Sequence, residues 1–164
     1  QLDAAGINLQ VIDVAEMAQR NLASLLPEDA RGVALLSFSA TSGLLTITKQ
    51  SELFLSRNLD IGLDVMLANS DATEYFDRIV LEIQRSLDYF DSHFRQLPVS
   101  GLVLAPVSRP VPGIEDYLRT NLNVSVSTMD LAQLMDFRSE FDLVARARCL
   151  VTIGAALRQE KTTL

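Results

Sequence analysis

Ser37, Ser39, Thr41 and Ser42 place four hydroxyls around Gly43, inside the run Val33 to Arg57 that reads VALLSFSATSGLLTITKQSELFLSR. Hydroxyls and backbone N–H groups at a glycine-bearing turn are the chemistry that cradles a phosphate. A magnesium-phosphate site needs more: a hard anionic oxygen for the metal, or a lysine for the phosphate. Neither stands between Ser37 and Gly43. The competing use of these hydroxyls is to satisfy the backbone of their own hairpin.

Other reactive side chains are sparse. His93 is the one histidine and follows Ser92 near the end of a polar helix face, which favours a solvated or capping role over a general base. Cys149 is alone and lies among apolar neighbours in the last helical segment, where a thiol behaves as a small hydrophobe. A single cysteine excludes an intrachain disulfide and a cysteine-rich metal site, and points to a reducing compartment. Asp60, Asp64 and Asp71 lack the glycine and closing glutamate of a calcium loop, so no metal site is predicted. The four methionines, Met17, Met66, Met129 and Met135, form no common stripe and are expected to fill core gaps. Arg57 is expected in a surface ion pair.

The hydroxyl cluster has to be positioned by β-structure. Val33 to Phe38, Leu44 to Thr48 and Glu52 to Ser56 are β-rich runs separated by Ser39–Gly43 and Lys49–Ser51, the punctuation of two hairpins. Upstream, Ile7 to Ile12 alternates as a strand. Asp13 with Glu16 has capping-box spacing for a helix whose apolar stripe is Val14, Met17, Ala18, Leu22 and Leu25 and which Pro27 ends. Downstream, Asp71 with Glu74 opens a long amphipathic helix, with Tyr75, Ile79, Ile83, Leu87, Phe90 and Phe94 on one face and Glu74, Asp77, Arg78, Arg85 and Asp88 on the other. Gly101 to Ala105 is a predicted buried strand, Pro112 to Leu122 a helix with proline in its first turn, and Val124 to Ser127 another strand. Asp130 to Met135 is a short helix. Ser139 and Asp142 open a final helix with inner stripe Leu143, Ala147, Leu150, Val151, Gly154 and Leu157. The order is α/β: a three-stranded antiparallel meander followed by βα units, in one domain over 1–164 without repeat, low-complexity tract or linker.

Composition bounds the function. The 164 residues are 48% hydrophobic and 21% charged, an ordinary globular balance. A formal charge of −7 argues against a nucleic-acid-binding surface and against adhesion to anionic lipid. No run approaches the roughly 20 apolar residues that span a bilayer, and the first residues lack a signal-peptide pattern. The chain starts at Gln1, which suggests a piece of a longer protein.

The meander, the segment Asn58-Leu-Asp-Ile-Gly62, the helical run Glu82 to Phe90 and the turn Ala155 to Arg158, in that order, resemble the second half of the PilM family of actin-like proteins of type IV pilus assembly. The resemblance covers nearly the whole chain and is nearest to the MshI-like branch that serves MSHA pili. It implies an actin-like, ribonuclease-H-like domain whose partner is an inner-membrane pilus assembly protein, at the cytoplasmic face of the inner membrane. It also implies a first half of the fold upstream. In nucleotide-binding members the second phosphate loop carries an acid and a glycine. Ser37, Phe38 and Ser39 match those positions, with Ser42 and Gly43 completing the loop, so the acid and the glycine are both serine here. Pro106 and Val107 stand where the family has a Gly-Gly pair that admits adenosine. Only a few residues separate Gly62 from the long helix, where the family inserts helices over the nucleotide. The resemblance therefore implies no nucleotide cofactor and no ATP hydrolysis: a scaffold that docks a partner. An ATP-dependent actin-like protein, a sugar-kinase-type enzyme and a type II secretion platform domain are the alternatives.

Overall fold

The alternating apolar residues of the meander pair as the sequence predicts. A computed structural model describes residues 12–69, 71–94, 98–138 and 141–159. Strands β1 (Val33–Phe38), β2 (Gly43–Lys49) and β3 (Glu52–Leu59) are antiparallel neighbours. The β2–β3 turn sets Gln50 and Ser51 at φ +51 and +63, the two left-handed positions of a type I′ hairpin. β3 runs past the predicted end at Ser56, because Arg57, Asn58 and Leu59 continue the backbone ladder opposite Leu45, Leu44 and Gly43. Its register slips once, between Ile47 and Thr48, where a bulge takes up Phe54.

Two further strands extend the sheet in parallel: β4 (Leu102–Leu104) beside β1, and β5 (Val126–Thr128) beside β4. The order is β3-β2-β1-β4-β5. β5 starts two residues beyond the predicted Val124, since Asn123 and Val124 form a bend.

Helices cover both faces. In chain order they are α1 (Ala15–Ala23), α2 (Leu63–Ala68), α3 (Thr73–Phe94), α4 (Ile114–Asn121), α5 (Leu131–Leu134), α6 (Leu143–Arg148) and α7 (Leu150–Ala156). α3 lays Phe76, Ile79, Ile83 and Phe90 on Leu36, Leu45 and Ile47 of one face. α1 and α7 cover the other, where Leu22 and Leu150 join Val33, Leu35 and Val103. The predicted stripe of α3 holds, rotated enough to bury Phe76 and Val80 as well and to leave Phe94 at the surface against Phe54.

Other expectations need correction. In α1, Val14, Met17 and Leu25 are exposed; the buried side is Ala18, Gln19, Asn21, Leu22 and Ala23, because two amides find hydrogen-bond partners across the interface. Asp13 is not the cap: Val14 occupies that position, and Asp13 Oδ1 accepts from the Val14 N–H at 2.9 Å. Of the predicted strand Ile7 to Ile12, residues 7–11 lie outside the described residues, and Ile12 is exposed coil. α1 stops at Ala23, and Pro27 begins a separate 3-10 turn, Pro27–Ala30. The link after Gly62 contains α2, and Asp71 bonds the Thr73 N–H, two residues on. Pro112 precedes α4, whose cap is Gly113 at φ +81, a left-handed position that favours glycine. The final helix is two, parted at Cys149, where ψ of 6° breaks the helical path. Leu143 and Val151 face solvent, and Asp142 caps α6 by accepting from Ala145 N–H at 2.7 Å. Ser139 lies outside the described residues. Cys149 itself is half-buried rather than core.

Candidate functional site

Phe38, Leu104 and Thr128 end β1, β4 and β5, three mutually parallel strands. The crevice beyond the carboxyl ends of such strands is where open α/β sheets hold ligands. A cavity of about 320 Å³ sits there, walled by Phe38, Leu104, Ala105, Val107, Val111 and Ile114, with Glu115 and Asp116 of α4 beside it. Of the predicted site residues, Val107 lines this cavity. Pro106 is half-buried next to it in the chain.

The remaining positions do not converge on it. Ser37 points to the α1 face of the sheet and donates its hydroxyl to Gln19 Oε1 at 2.7 Å. The Gln19 amide in turn donates to Leu35 O (2.7 Å), Leu44 O (3.1 Å) and Thr46 Oγ1 (3.1 Å). Sequence reasoning missed Gln19 because a glutamine at a helix position carries no apolar signal.

The loop 39–42 is closed on itself. Ser39 N–H donates to Ser42 O at 2.8 Å, and the Ser42 N–H donates to Ser39 Oγ at 3.0 Å. Ser39 Oγ also lies 2.9 Å from Ser42 Oγ. At Gly43 a Cβ would sit 3.0 Å from the Phe38 ring, so a side chain there would require the ring to give by a few tenths of an ångström. Behind the loop passes Gly62, where a Cβ would lie 2.4 Å from Ser42 N and 2.5 Å from Ala40 O. That close approach lets the first N–H groups of α2 reach the loop: Leu63 N–H donates to Ser39 O and Asp64 N–H to Ala40 O, both at 2.9 Å. Asp64 also pairs with Arg109 of the β4–α4 segment, tying the two loops together. A turn and a helix start, each capable of holding an anion alone, are here bonded to each other.

Elsewhere, His93 stacks on Tyr89 with ring centroids 3.8 Å apart and reaches Ser92 Oγ at 3.1 Å, at the exposed end of α3. Asp60, Asp64 and Asp71 do not converge, and among the described residues no group of three or more His, Cys, Asp or Glu is placed to hold a metal. Arg57 makes the expected ion pair, 2.8 Å from Glu82, which also bonds Arg85 at 2.9 Å. Burial pushes the Glu82 carboxyl up, but the hydrogen bonds from Arg57 and Arg85 outweigh it and hold its pKa below the ordinary glutamate value. No described helix is long and apolar enough to cross a membrane.

No family model matches the chain, and neither does any curated protein. Solved structures do. A chain of the PilM-PilN type IV pilus biogenesis complex superposes with TM-score 0.68 at 22% identity, over 95% of this chain and 55% of that one. The ethanolamine utilization protein EutJ from Carboxydothermus hydrogenoformans gives TM-score 0.59 at 11% identity, over 95% of this chain and 57% of that one. The chain thus spans a little over half the length of each. At these identities the likeness concerns shape, and the shape is that of a PilM-like actin-like domain.

Proposed function

We propose that this chain is a non-enzymatic actin-like scaffold domain of type IV pilus biogenesis, of the MSHA type. It docks an assembly partner at the cytoplasmic face of the inner membrane. The observation that carries the reading is the mutual bonding of loop 39–42 and the start of α2, with Ser37 engaged by Gln19. In that arrangement the groups that would grip a phosphate already hold one another, no acid stands within 37–43, and the carboxylate of Asp64 beside the loop is paired with Arg109. A fold alone assigns no function. The pilus assignment is supported by likeness to a chain of the PilM-PilN complex and by the sequence resemblance.

The opposing reading is an ATP-binding actin-like protein, favoured by the cavity beyond the strand ends. Calorimetry on the full-length protein separates them: no saturable binding of magnesium-ATP at micromolar concentration is the expected outcome. Saturable binding that weakens on Ser39→Phe would overturn the scaffold assignment. Capture of inner-membrane pilus components by the full-length protein, and failure to capture type II secretion components, tests the pilus assignment.

A further inference from the structure

β5 ends the sheet on the side opposite β3, and no described strand pairs with its outer edge. Its ladder to β4 uses alternate residues: Leu102 N–H donates to Ser125 O at 2.8 Å and Met129 N–H to Leu104 O at 2.7 Å, so the N–H and C=O of Thr128 turn outward. Val126 O, on the same outward side, accepts from Arg119 Nε at 3.2 Å, which closes the first half of the edge and leaves the second half open. Thr128 borders two hollows that lie on opposite faces of the sheet. One is the cavity beyond the strand ends, whose Leu104, Val111 and Ile114 belong to the α3 side. The other, of about 340 Å³, has Val103, Met129 and Leu134 of the α1 side along it. Successive side chains of an extended chain point to opposite sides. A segment laid along Thr128 therefore offers one residue to each hollow.

Every charged residue lining the two hollows is an acid: Glu115 and Asp116 at the first, Glu28 and Asp130 at the second. Arg119 pairs with both Glu115 and Asp116, so the first hollow is an apolar pocket whose acids are already engaged. At the second, Arg146 comes only within 3.8 Å of Asp130, and Glu28 makes no ion pair with any described residue. Four carboxylates thus stand against two guanidinium groups, and the Glu28 side carries an unpaired one. An apolar side chain suits the first hollow and a cation the second.

We infer that the open end of β5 binds an extended segment of a partner protein in which basic and apolar residues alternate: its backbone pairs with Thr128, an apolar side chain enters the cavity beside Val107 and Ile114, and the adjacent basic side chain meets Glu28 and Asp130. Backbone pairing holds the segment extended, and the two unlike hollows select its side chains. The inference rests on the scaffold reading in one respect, that the cavity receives a partner's side chain and not a nucleotide.

A fluorescein-labelled synthetic peptide, Gly-Lys-Val-Lys-Leu-Lys-Val-Lys, titrated with the full chain and followed by anisotropy, tests the site. Saturable binding is expected, weakened roughly tenfold or more by Glu28→Gln with Asp130→Asn, and separately by Val107→Trp, which fills the cavity. Asparagine keeps the side-chain oxygen that caps α5, and an unchanged unfolding transition confirms that each variant is folded. If Val107→Trp does not fold, the charge variant decides alone. A peptide of the same composition, with its lysines in one block and its apolar residues in another, should also bind roughly tenfold more weakly. Equal binding of the block peptide reduces the effect to diffuse attraction toward a chain of charge −7 and overturns the inference, as does undiminished affinity in the charge variant. Self-association in sedimentation that the charge variant abolishes, with no peptide binding, overturns it in favour of a second copy. Displacement of bound peptide by magnesium-ATP supports the placement of the segment and overturns the scaffold reading, whereas binding of neither overturns the inference and leaves that reading standing.

Discussion

The two faces of the sheet are held by different means. On the α3 face, Ile79, Ile83 and Phe90 are fully buried against Leu36, Leu45 and Ile47, and Phe54 meets the Phe90 ring edge-on at 5.6 Å. Attraction there is non-directional and proportional to area. On the α1 face, a buried glutamine bonds three acceptors on β1 and β2, and a buried asparagine donates to Gly154 O of α7 at 2.9 Å. Directional bonds in a dry interface fix one geometry, and each group left without its partner is costly. One face tolerates reshaping but not lost volume. The other tolerates neither rotation nor loss of a donor.

Deleting volume on the apolar face should have the largest effect. Ile83→Ala is expected to cost about 2–5 kcal/mol in a urea titration, whereas Arg85→Ala on the exposed side of α3 should cost less than about 0.5 kcal/mol. Equal losses at the two positions would mean that the assigned face is wrong. On the polar face, Gln19→Leu keeps bulk and adds hydrophobicity yet strands the Ser37 and Thr46 hydroxyls, so a loss of about 1–3 kcal/mol is expected. A neutral or stabilising result would erase the contrast between the faces.

The smallest effect concerns the ion pairs of Glu82. Because the folded Glu82 pKa lies below its unfolded value, the ion pairs contribute stability above the unfolded value, and that contribution fades as pH falls through the folded one. Glu82→Gln should therefore cost under about 1 kcal/mol at neutral pH, given the partial exposure of the pair, and nothing in strong acid. A penalty independent of pH, measured by parallel urea titrations, would make the residue's role packing instead of charge.

These differences also explain what was legible. The α3 stripe and the meander show in the sequence because apolar residues recur at the period of the element that buries them. Gln19 and Asn21 were invisible to the same argument: a polar side chain at a buried position is specified by acceptors that arrive from distant strands and helices. β3 outran its apolar pattern because Arg57 and Asn58 are held by backbone pairing, to which side-chain type contributes little. At the candidate site, the hydroxyls of Ser39 and Ser42 satisfy their own turn, the competing use predicted from their spacing. Their bonding to α2 could not be foreseen, since Gly62 reveals its close approach only once the loop is folded behind it.

The crossing of α1 and α7 has a kinetic side. Gly154 lies so close to α1 that a Cβ there would meet Ala18 O at 2.2 Å, and the Asn21 amide bonds its carbonyl across 133 residues of sequence. Closing so long a loop is entropically slow, and pairs of high sequence separation form late. During synthesis the meander and α1 leave the ribosome well before α7, so α1 alone covers its face of the sheet until α7 arrives, while α3 already seals the other. α7 then completes the interface that α1 began.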